Sequence, residues 1–185
     1  MNELKPVELR IEHGNESKLD LLRPLWLCLH HYHQSIAPRL APYVDDDFSW
    51  QMRRRFYADC LSRTASFVLL AYCGENLVGY ALVLVQPTSS MWSDTWVVGN
   101  RTAELETIIV APEWRGKGIG GMLMDRVESE LEQLGIEDVI IGALPTNVEV
   151  LELYRQRGFV PTWVVMTRFA QRLREAENAA PSFEV

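Results

Sequence analysis

Apolar residues recur along the chain with two periods, and these periods predict its strands and helices. Alternation of apolar and polar residues, as in VELRI, and short runs rich in β-branched residues favour strands. Apolar residues spaced three and four positions apart favour helices. The predicted elements are, in chain order, a strand over 7–11, helices over 17–33 and 45–61, strands over 66–73, 77–85 and 103–110, a helix from about 118 to 134, a strand over 138–143, a helix over 147–157 and a β-rich segment over 159–169.

The connections between these elements indicate the fold class. Two prolines mark 36–44 as a loop, GEN at 74–76 favours a β-hairpin, and residues 86–102 form a long connection with two tryptophans. The order of elements predicts a mixed α/β fold. Its central sheet is expected to have an antiparallel N-terminal half, a crossover helix in the second half and helices on its flanks. We expect one domain over 1–170 and a frayed tail over 171–185.

Composition narrows the class of protein. A chain of 185 residues with 48% hydrophobic content suits one domain with its own core. No apolar stretch approaches the roughly 20 residues that cross a bilayer, and the first residues do not form a secretory leader. Three separated cysteines fit a reducing compartment, so we expect a cytoplasmic protein that does not bind membranes. A net charge of −7 argues against a nucleic-acid partner.

The stretch EWRGKGIGGMLMDRV has the composition of an anion-binding turn. The strand before it ends at Val110, and an apolar helix begins near Gly118. Helix N-termini present N–H groups and the positive end of the helix dipole. Glycines let a phosphate approach the backbone, and Arg115 and Lys117 add positive charge. The alternative is an ordinary strand-to-helix loop, which four glycines within six residues would make costly.

The composition of this turn is compatible with two kinds of phosphate ligand, a dinucleotide or the diphosphate of coenzyme A. Gly116-x-Gly118-x-x-Gly121 matches the GxGxxG spacing of dinucleotide-binding folds. However, APEWR separates the strand from the first glycine, and the next strand ends without the acidic residue that binds a ribose. A GxxxxGK[ST] phosphate loop is also absent from the sequence. These observations disfavour a nucleotide-dependent oxidoreductase.

The segment LETIIVAPEWRGKGIGGMLM closely resembles the acetyl-CoA motif of the GNAT superfamily of acyl-CoA-dependent N-acyltransferases. That motif is a strand, then V-x-P-x-x-[RQ]-G-x-G-[IL]-G, then a helix. The segment NVEVLELYRQRGF resembles a second block of the family, N-x-x-[AV]-x-x-[LF]-Y-x-x-x-G-F, in the expected order and separation. Residues 1–100 match the family only in the order of their elements. The matching residues are Val110, Pro112, Arg115, Gly116, Gly118, Ile119 and Gly120 in the first block and Asn147, Tyr154, Gly158 and Phe159 in the second.

The resemblance implies a GNAT-like fold and a function. The expected reaction transfers an acetyl group from acetyl-CoA to a primary amine of a small molecule or peptide, in a ternary complex without a metal. The pyrophosphate would bind the turn, the pantetheine arm would lie beside the 103–110 strand, and Tyr154 would protonate the departing sulfur. A homodimer is expected by analogy. The implied cofactor-binding residues are Ile108, Ile109, Val110, Arg115, Gly116, Lys117, Gly118, Ile119, Gly120, Gly121, Asn147 and Tyr154.

The group that takes the proton of the amine has three candidates: Glu106, Glu104 and water. By alternation, both glutamates share one face of their strand with Ile108 and Val110. Glu106 is nearer to the expected thioester and would act through water. The alternative for it is a solvated or ion-paired strand glutamate. Gly142 lies about where relatives that acetylate protein N-termini carry an acid, which disfavours that substrate class.

Structural alternatives stay open for the second block. Thr146 and Glu149 have the spacing of a capping box, which leaves Asn147 available to the cofactor, although Asn147 itself can cap the helix. Tyr154 has an alternative role as a core aromatic. Gly158 is expected to end the helix. A catalytically silent acyl-CoA-binding regulator is the alternative function.

The resemblance places the acceptor pocket at the first two helices and nearby loops. Aromatic rings and the acids at 45–47 can hold a cationic amine, although acids at a helix start more often act as caps. His30 and His33 share a helix face without a carboxylate at ligand spacing, so packed or surface histidines are expected. The arginines at 53–55 are expected on a solvated or salt-bridged face. The aromatic residues of this region are Trp26, Tyr32, Tyr43, Trp50, Phe56, Tyr57, Trp92 and Trp96.

Overall fold

A five-stranded mixed sheet is the main feature of the fold. The structure, a computed structural model, describes residues 9–40 and 42–169. Its elements are, in chain order, β1 (Leu9–His13), a 3-10 helix (Glu16–Leu22), α1 (Arg23–Ile36), α2 (Asp46–Ser62), β2 (Phe67–Cys73), β3 (Asn76–Pro87), α3 (Ser90–Ser93), β4 (Arg101–Val110), a 3-10 turn (Pro112–Trp114), α4 (Ile119–Gln133), β5 (Val139–Ile141) and α5 (Val148–Gln156). The strands lie in the order β1-β2-β3-β4-β5. β1 to β4 pair antiparallel and β5 pairs parallel with β4, which confirms the predicted fold class.

The first predicted helix forms as two segments. A 3-10 helix precedes α1, and at its start the side chain of Asn15 accepts a hydrogen bond from the N–H of Ser17 at 3.1 Å. Pro24 is the second residue of α1. Proline is tolerated there because the N–H groups of a first helical turn have no intrahelical partner. The prediction of one continuous α-helix over 17–33 is therefore wrong before Arg23, and α1 continues to Ile36.

The β-rich segment predicted over 159–169 forms no strand. Val164 and Val165 in this segment are 85% and 86% exposed. Strand preference depends on packing against a neighbouring strand, and Pro161 removes one N–H that a ladder requires. The prediction is therefore wrong for this segment. The tail expected over 171–185 and the first two residues of the strand predicted over 7–11 lie outside the described residues.

The described residues form two units, each of which is described by itself. The larger unit comprises residues 9–31 and 45–142 and contains the sheet together with α2, α3 and α4. The smaller unit comprises residues 32–40, 42–44 and 143–169 and contains α5. The single domain expected over 1–170 stays a prediction. Across both units, no described helix combines the length and apolar character that a membrane span requires.

The sheet of the larger unit buries apolar side chains on both of its faces. On one face, Trp26 and Tyr57 pack in a cluster that includes Tyr80 of β3. The neighbouring residue Gly79 faces the opposite side, where a Cβ added to it would lie 3.3 Å from Leu123 of α4. We call these the α2 face and the α4 face of the sheet. Helices therefore cover both sides of β3 and β4, as the sequence predicts.

Candidate active site

One edge of β4 is unpaired next to the glycine turn. β4 pairs with β3 along residues 101–110, but it pairs with β5 only over residues 103–105. Beyond Leu105, no strand in the described part of the chain pairs with this second edge. Such an edge presents main-chain N–H and C=O groups to an extended ligand.

The alternation of main-chain groups decides which of the predicted β4 residues face this edge. The N–H of Ala111 donates to the C=O of Val78 at 2.8 Å and therefore faces β3. Because main-chain groups alternate along a strand, the N–H of Ile109 also faces β3. The main-chain groups of Ile108 and Val110 face the unpaired edge. Of the three predicted residues, Ile108 can therefore bind an extended ligand through both main-chain groups and Val110 through its N–H, since the C=O of Val110 accepts from Arg115.

The turn after β4 exposes its backbone through two glycines. Gly116 and Gly118 have φ angles of 72° and 80°, in the left-handed region that favours glycine. Nothing lies within 4 Å of a Cβ added to either residue, so the space above both is open. Gly118 is the N-cap of α4, no side chain caps it, and its C=O accepts from the N–H of Met122 at 3.0 Å. The predicted phosphate-binding residues in the first turn of α4 are Ile119, Gly120 and Gly121.

The two cations of the turn are anchored beside this open backbone. Nε of Arg115 donates to the C=O of Val110 at 3.1 Å, so its guanidinium lies at the end of β4. Nζ of Lys117 lies 4.4 Å from the centroid of the Trp114 ring, which is a cation–π contact. The structure therefore brings both predicted cations to the same turn as the glycines.

The pairing of β4 with β3 is interrupted at Glu106. Thr107 pairs with Leu82 and Leu105 pairs with Val83, so Glu106 has no partner on β3. An extra residue of this kind is a β-bulge, which bends the strand and redirects side chains. The regular alternation assumed from the sequence therefore ends at this position.

The bulge changes which residues share a face. Glu106 forms an ion pair with Arg53 of α2, which places it on the α2 face. Ile108 pairs with Ala81, the neighbour of Tyr80, and so lies on the α4 face. The prediction that Glu106 shares a face with Ile108 is therefore wrong, because the extra residue shifts the alternation by one.

Arg53 lies in an aromatic environment on α2. Its guanidinium lies 4.0 Å from the Trp26 ring centroid and 5.5 Å from the centroids of Phe56 and Tyr57. The side chains of Arg53 and Glu106 are 25% and 19% exposed. The ion-paired alternative for Glu106 is thus the arrangement observed, and the side chain as a whole stays partly exposed.

Sequence reasoning gave Arg53 no functional role, although a signal was present. Arg53 lies three residues after Trp50 and four before Tyr57, and both of these side chains are buried. Residues at these spacings share one side of a helix. Helical periodicity therefore separates Arg53 from Arg54, which pairs with Asp20 at 2.7 Å in a more exposed position.

A hydrogen-bonded network of three buried hydroxyl groups lies beside the bulge. The Tyr57 hydroxyl donates to Oγ1 of Thr107 at 2.6 Å and lies 3.0 Å from the Tyr80 hydroxyl. Burial raises the pKa of Tyr57 to about 12 and also raises the pKa of Tyr80. These phenols stay neutral and act as hydrogen-bonding groups. The sequence pattern predicts Tyr57 only as an acceptor-side aromatic, and no pattern in it points to Thr107.

Glu104, the second candidate base, lies on β4 opposite Leu84 of β3. Its side chain is half-buried, and burial together with the charge of Glu106 raises its pKa. Because Leu84 belongs to the apolar cluster of the α2 face, Glu104 is on the same face as Glu106. Both predicted glutamates are therefore directed to the α2 side of the sheet.

The smaller unit contains Tyr154, the predicted acid. Its side chain is buried, and its ring centroid lies 5.9 Å from that of Phe159. Burial raises the pKa of Tyr154 to about 12, so its hydroxyl keeps its proton at neutral pH. Gly158, with a φ of 87°, follows α5 and ends it as predicted.

Asn147 is the N-cap residue of α5, but its side chain does not cap the helix. The side chain is buried, and its Oδ1 accepts a hydrogen bond from the Tyr32 hydroxyl at 3.2 Å. The capping box predicted from Thr146 and Glu149 is therefore wrong, because the helix begins one residue later than that motif requires. Tyr32 is a neighbour of Asn147 that sequence reasoning did not identify.

The acids at the start of α2 have partners within the protein. Asp45 caps the helix by accepting from the N–H of Phe48 at 2.9 Å. Asp46 lies 2.8 Å from Nε2 of His31, and Asp47 accepts from Arg23 at 2.7 Å. Capping and pairing therefore describe these acids better than recognition of an amine. Among the described residues, no group of three or more His, Cys, Asp or Glu side chains is placed to hold a metal ion.

Comparisons with known proteins identify the family to which this chain is similar. A model of the acetyltransferase (GNAT) family matches residues 28–159. Thialysine N-epsilon-acetyltransferase of Bos taurus is 30% identical over 105 residues, which are 57% of this chain and 51% of that protein. The chain therefore matches about half the length of this curated relative.

Solved structures share the fold at low sequence identity. A tetramutant of the BH1408 protein from Bacillus halodurans has a TM-score of 0.68 at 13% identity, covering 86% of this chain and 98% of that one. The aminoglycoside N-acetyltransferase AAC(6')-Iy in complex with CoA has a TM-score of 0.63 at 17% identity, covering 90% and 98%. Ribosomal-protein-alanine N-acetyltransferase from Brucella melitensis biovar Abortus 2308 has a TM-score of 0.60 at 23% identity, covering 88% and 100%.

The resemblance seen in the two sequence blocks is thus confirmed over a longer stretch of the chain. The family model begins in α1 and ends just after α5, so it includes both blocks and most of the sheet. With the mixed sheet and the glycine turn in place, this protein belongs to the acetyltransferase (GNAT) family.

Proposed function

We propose that this protein transfers an acetyl group from acetyl-CoA to a primary amine of a small molecule or peptide, by direct attack in a ternary complex. The observation that carries the proposal is the unpaired edge of β4 beside the open glycine turn. The curated relative is named as an N-acetyltransferase, and one structural neighbour was solved with CoA, which supports the choice of donor.

Two features of the larger unit support the choice of donor. A diphosphate requires N–H groups and positive charge at a backbone that it can approach closely, and the turn has open space above Gly116 and Gly118. A pantetheine arm contains amides that can bond to a strand edge, which Ile108 and Val110 provide. The proposed donor-binding residues are Ile108, Val110, Arg115, Gly116, Lys117, Gly118, Ile119, Gly120 and Gly121, with Ile109 beside them and Asn147 from the smaller unit.

The reaction requires two proton transfers and one acyl transfer. An aliphatic amine has a pKa of about 10.4, so it arrives protonated and must lose a proton before it attacks. Glu106 takes that proton through water in our proposal. The amine nitrogen then forms a bond to the acetyl carbon, the carbon–sulfur bond breaks, and the nitrogen releases its second proton, which replaces the proton that the sulfur receives. An N–H of Ile108 or Val110 stabilises the oxyanion, since these groups face the open edge.

Tyr154 supplies the proton that the departing thiolate takes up in this proposal. Burial raises its pKa to about 12, so the hydroxyl remains protonated over the whole physiological range. The neutral hydroxyl is the form of tyrosine that can donate a proton, and the transfer to sulfur is completed because the nitrogen of the new amide gives up its own second proton to the phenolate. The motif position and the buried hydroxyl support this role.

The cysteines support direct attack rather than an acyl-enzyme. Cys60 and Cys73 are buried, and neither they nor Cys28 lie in the two family blocks. Burial raises the pKa of Cys60 to about 11, which disfavours the thiolate that a covalent route would need. We also propose a cytoplasmic location, which free cysteines fit. A homodimer is proposed by analogy with the family.

A thiol-release assay tests the proposed function. The wild-type protein is incubated with acetyl-CoA and a panel of primary amines, and free CoA is measured with a thiol reagent. We expect turnover with at least one amine, and Tyr154→Phe should lower kcat by about 100-fold, the lower end of general acid catalysis. Tyr72→Phe is the matched control, because Tyr72 lies on β2 outside both family blocks.

Three outcomes would contradict parts of this proposal. Wild-type turnover by Tyr154→Phe would remove its role as the acid. CoA binding without turnover of any amine would favour the silent regulator. Binding of NAD instead of CoA in a thermal-shift comparison would overturn the choice of donor.

A further inference from the structure

Two successive residues of β4 are bound by one side of α2. Arg53 forms the ion pair with Glu106, and Tyr57 donates its hydroxyl hydrogen bond to Thr107 at 2.6 Å. Arg53 and Tyr57 are four residues apart, so one turn of a helix presents both. The β-bulge at Glu106 is therefore in contact with a single rigid element at two points.

The bulge makes the direction of Glu106 dependent on side-chain contacts. Glu106 has no partner on β3, so the strand ladder does not fix it as it fixes Leu105 and Thr107. Its ion pair with Arg53 supplies a contact that the ladder does not. An unpaired glutamate at this position would be able to adopt several rotamers.

The position of Arg53 is itself fixed by aromatic rings. Its guanidinium lies over the Trp26 ring at 4.0 Å, and Nε1 of Trp26 donates to Oγ of Ser49 at 3.0 Å. Phe56 and Tyr57 are also close to it. Contacts between a guanidinium and several rings restrict its rotation.

From this arrangement we infer that Arg53 is a positioning residue, which holds the Glu106 carboxylate in the orientation required to accept the proton of the amine. The inference rests on the proposed function and adds to it a residue outside both family blocks. When Glu106 takes the proton, the ion pair is lost, but the rings keep Arg53 in place. Arg53 is then ready to orient the carboxylate again after the proton leaves through water.

A double-mutant cycle tests this inference. Arg53→Met, Glu106→Gln and the double variant are compared with the wild type in the thiol-release assay. We expect Arg53→Met to lower kcat by about 10-fold or more, since small displacements of a catalytic group have effects of this size. The KM for acetyl-CoA should change less than two-fold. In the Glu106→Gln background, Arg53→Met should have no further effect on kcat.

Two further variants separate positioning from a structural role. Arg53→Lys keeps the charge and should restore part of kcat, and it provides a folded variant if Arg53→Met unfolds. Arg54→Met is the matched control, because this neighbour on α2 pairs with Asp20 instead. We expect Arg54→Met to keep the wild-type kcat, with folding of all variants checked by circular dichroism.

The outcomes distinguish this inference from the proposed function. A wild type that acetylates no amine overturns the proposed function, and with it any catalytic role for Arg53. An active wild type in which Arg53→Met lowers kcat equally with and without Glu106 overturns the inference alone. The same holds if Arg54→Met is as impaired as Arg53→Met, or if the loss is confined to the KM for acetyl-CoA.

Discussion

Substitution of Gly118 by alanine should change both the stability of the protein and its affinity for CoA, and the two effects can be measured separately. Gly118 has a φ of 80°, and an added Cβ meets nothing within 4 Å. The left-handed conformation costs a non-glycine residue about 1–2 kcal/mol. Alanine also lowers the conformational entropy of the unfolded chain, which stabilises the folded state by about 0.4–1 kcal/mol. The net loss of unfolding free energy is therefore about 1 kcal/mol, which lowers Tm by about 2–4 °C in a domain of this size.

The effect on coenzyme binding should be larger than the effect on stability. In the proposed site, the new methyl group stands where the diphosphate approaches the start of α4. Loss of one hydrogen bond to a charged group costs about 1.5–3 kcal/mol, which weakens Kd by about 10- to 100-fold. Isothermal titration calorimetry with CoA measures this change, and thermal denaturation measures the change in stability.

Gly135→Ala is the matched control for this measurement. Gly135 follows the other end of α4, has a φ of 65°, and an added Cβ also meets nothing within 4 Å. It should lose a similar amount of stability, since the backbone cost is the same, and keep the wild-type Kd for CoA. Equal Kd values for the two variants would refute a diphosphate site at the start of α4.

Two further substitutions test the interior of the α2 face. Tyr57→Phe removes the hydroxyl that contacts both Thr107 and Tyr80. Because buried polar groups are left unpaired, the unfolding free energy measured in urea should fall by about 1–3 kcal/mol. A loss as small as that of Tyr72→Phe would contradict the network of buried hydroxyl groups. The raised pKa of Glu104 means that the folded state favours the neutral carboxyl group. The stabilisation that this preference gives is complete below the unfolded pKa, and it is lost as the pH rises through the folded pKa. Glu104→Gln should therefore be more stable than the wild type at pH 7 and equal to it near pH 4; a difference that stays constant between these pH values would contradict the shift.

The glycine turn was predictable because its conformation is local. The left-handed angles at Gly116 and Gly118 require glycine, and the start of α4 follows from the apolar spacing after it. The strand that ends at Val110 also follows from a short-range pattern of apolar residues. Residue type and spacing were sufficient here, because left-handed angles are a preference of glycine itself.

The contacts of Glu106 were not predictable from such patterns. Whether a strand contains a bulge depends on its register with the neighbouring strand, and a sequence pattern fixes register only while alternation is regular. The sequence LETII gives no sign that alternation fails at Glu106. Its partner Arg53 is 53 residues away in the chain, and only the packing of α2 on the sheet brings them together.

The segment over 159–169 also shows that strands depend on long-range pairing, because here a strand is predicted and does not form. Its β-branched residues favour a strand, yet Val164 and Val165 remain largely exposed and unpaired in a ladder. Strand propensity measures fit to a neighbouring surface, so it has no effect where no neighbouring strand is supplied. A helix satisfies its own backbone, which explains why α4 and α5 were predicted closely while this segment was not.

Three changes in β4 within a few residues explain how one strand can contribute to both halves of the proposed reaction. Pairing with β5 ends at Leu105, which opens the edge. The bulge at Glu106 turns its carboxylate to the α2 face. After it, the main-chain groups of Ile108 and Val110 face the open edge. A regular strand would place residues 106 and 108 on one face, so the carboxylate and the Ile108 side chain would share the same side of the sheet. The bulge separates them, so a substitution of Glu106 tests the proposed base without changing the Ile108 side chain on the other face.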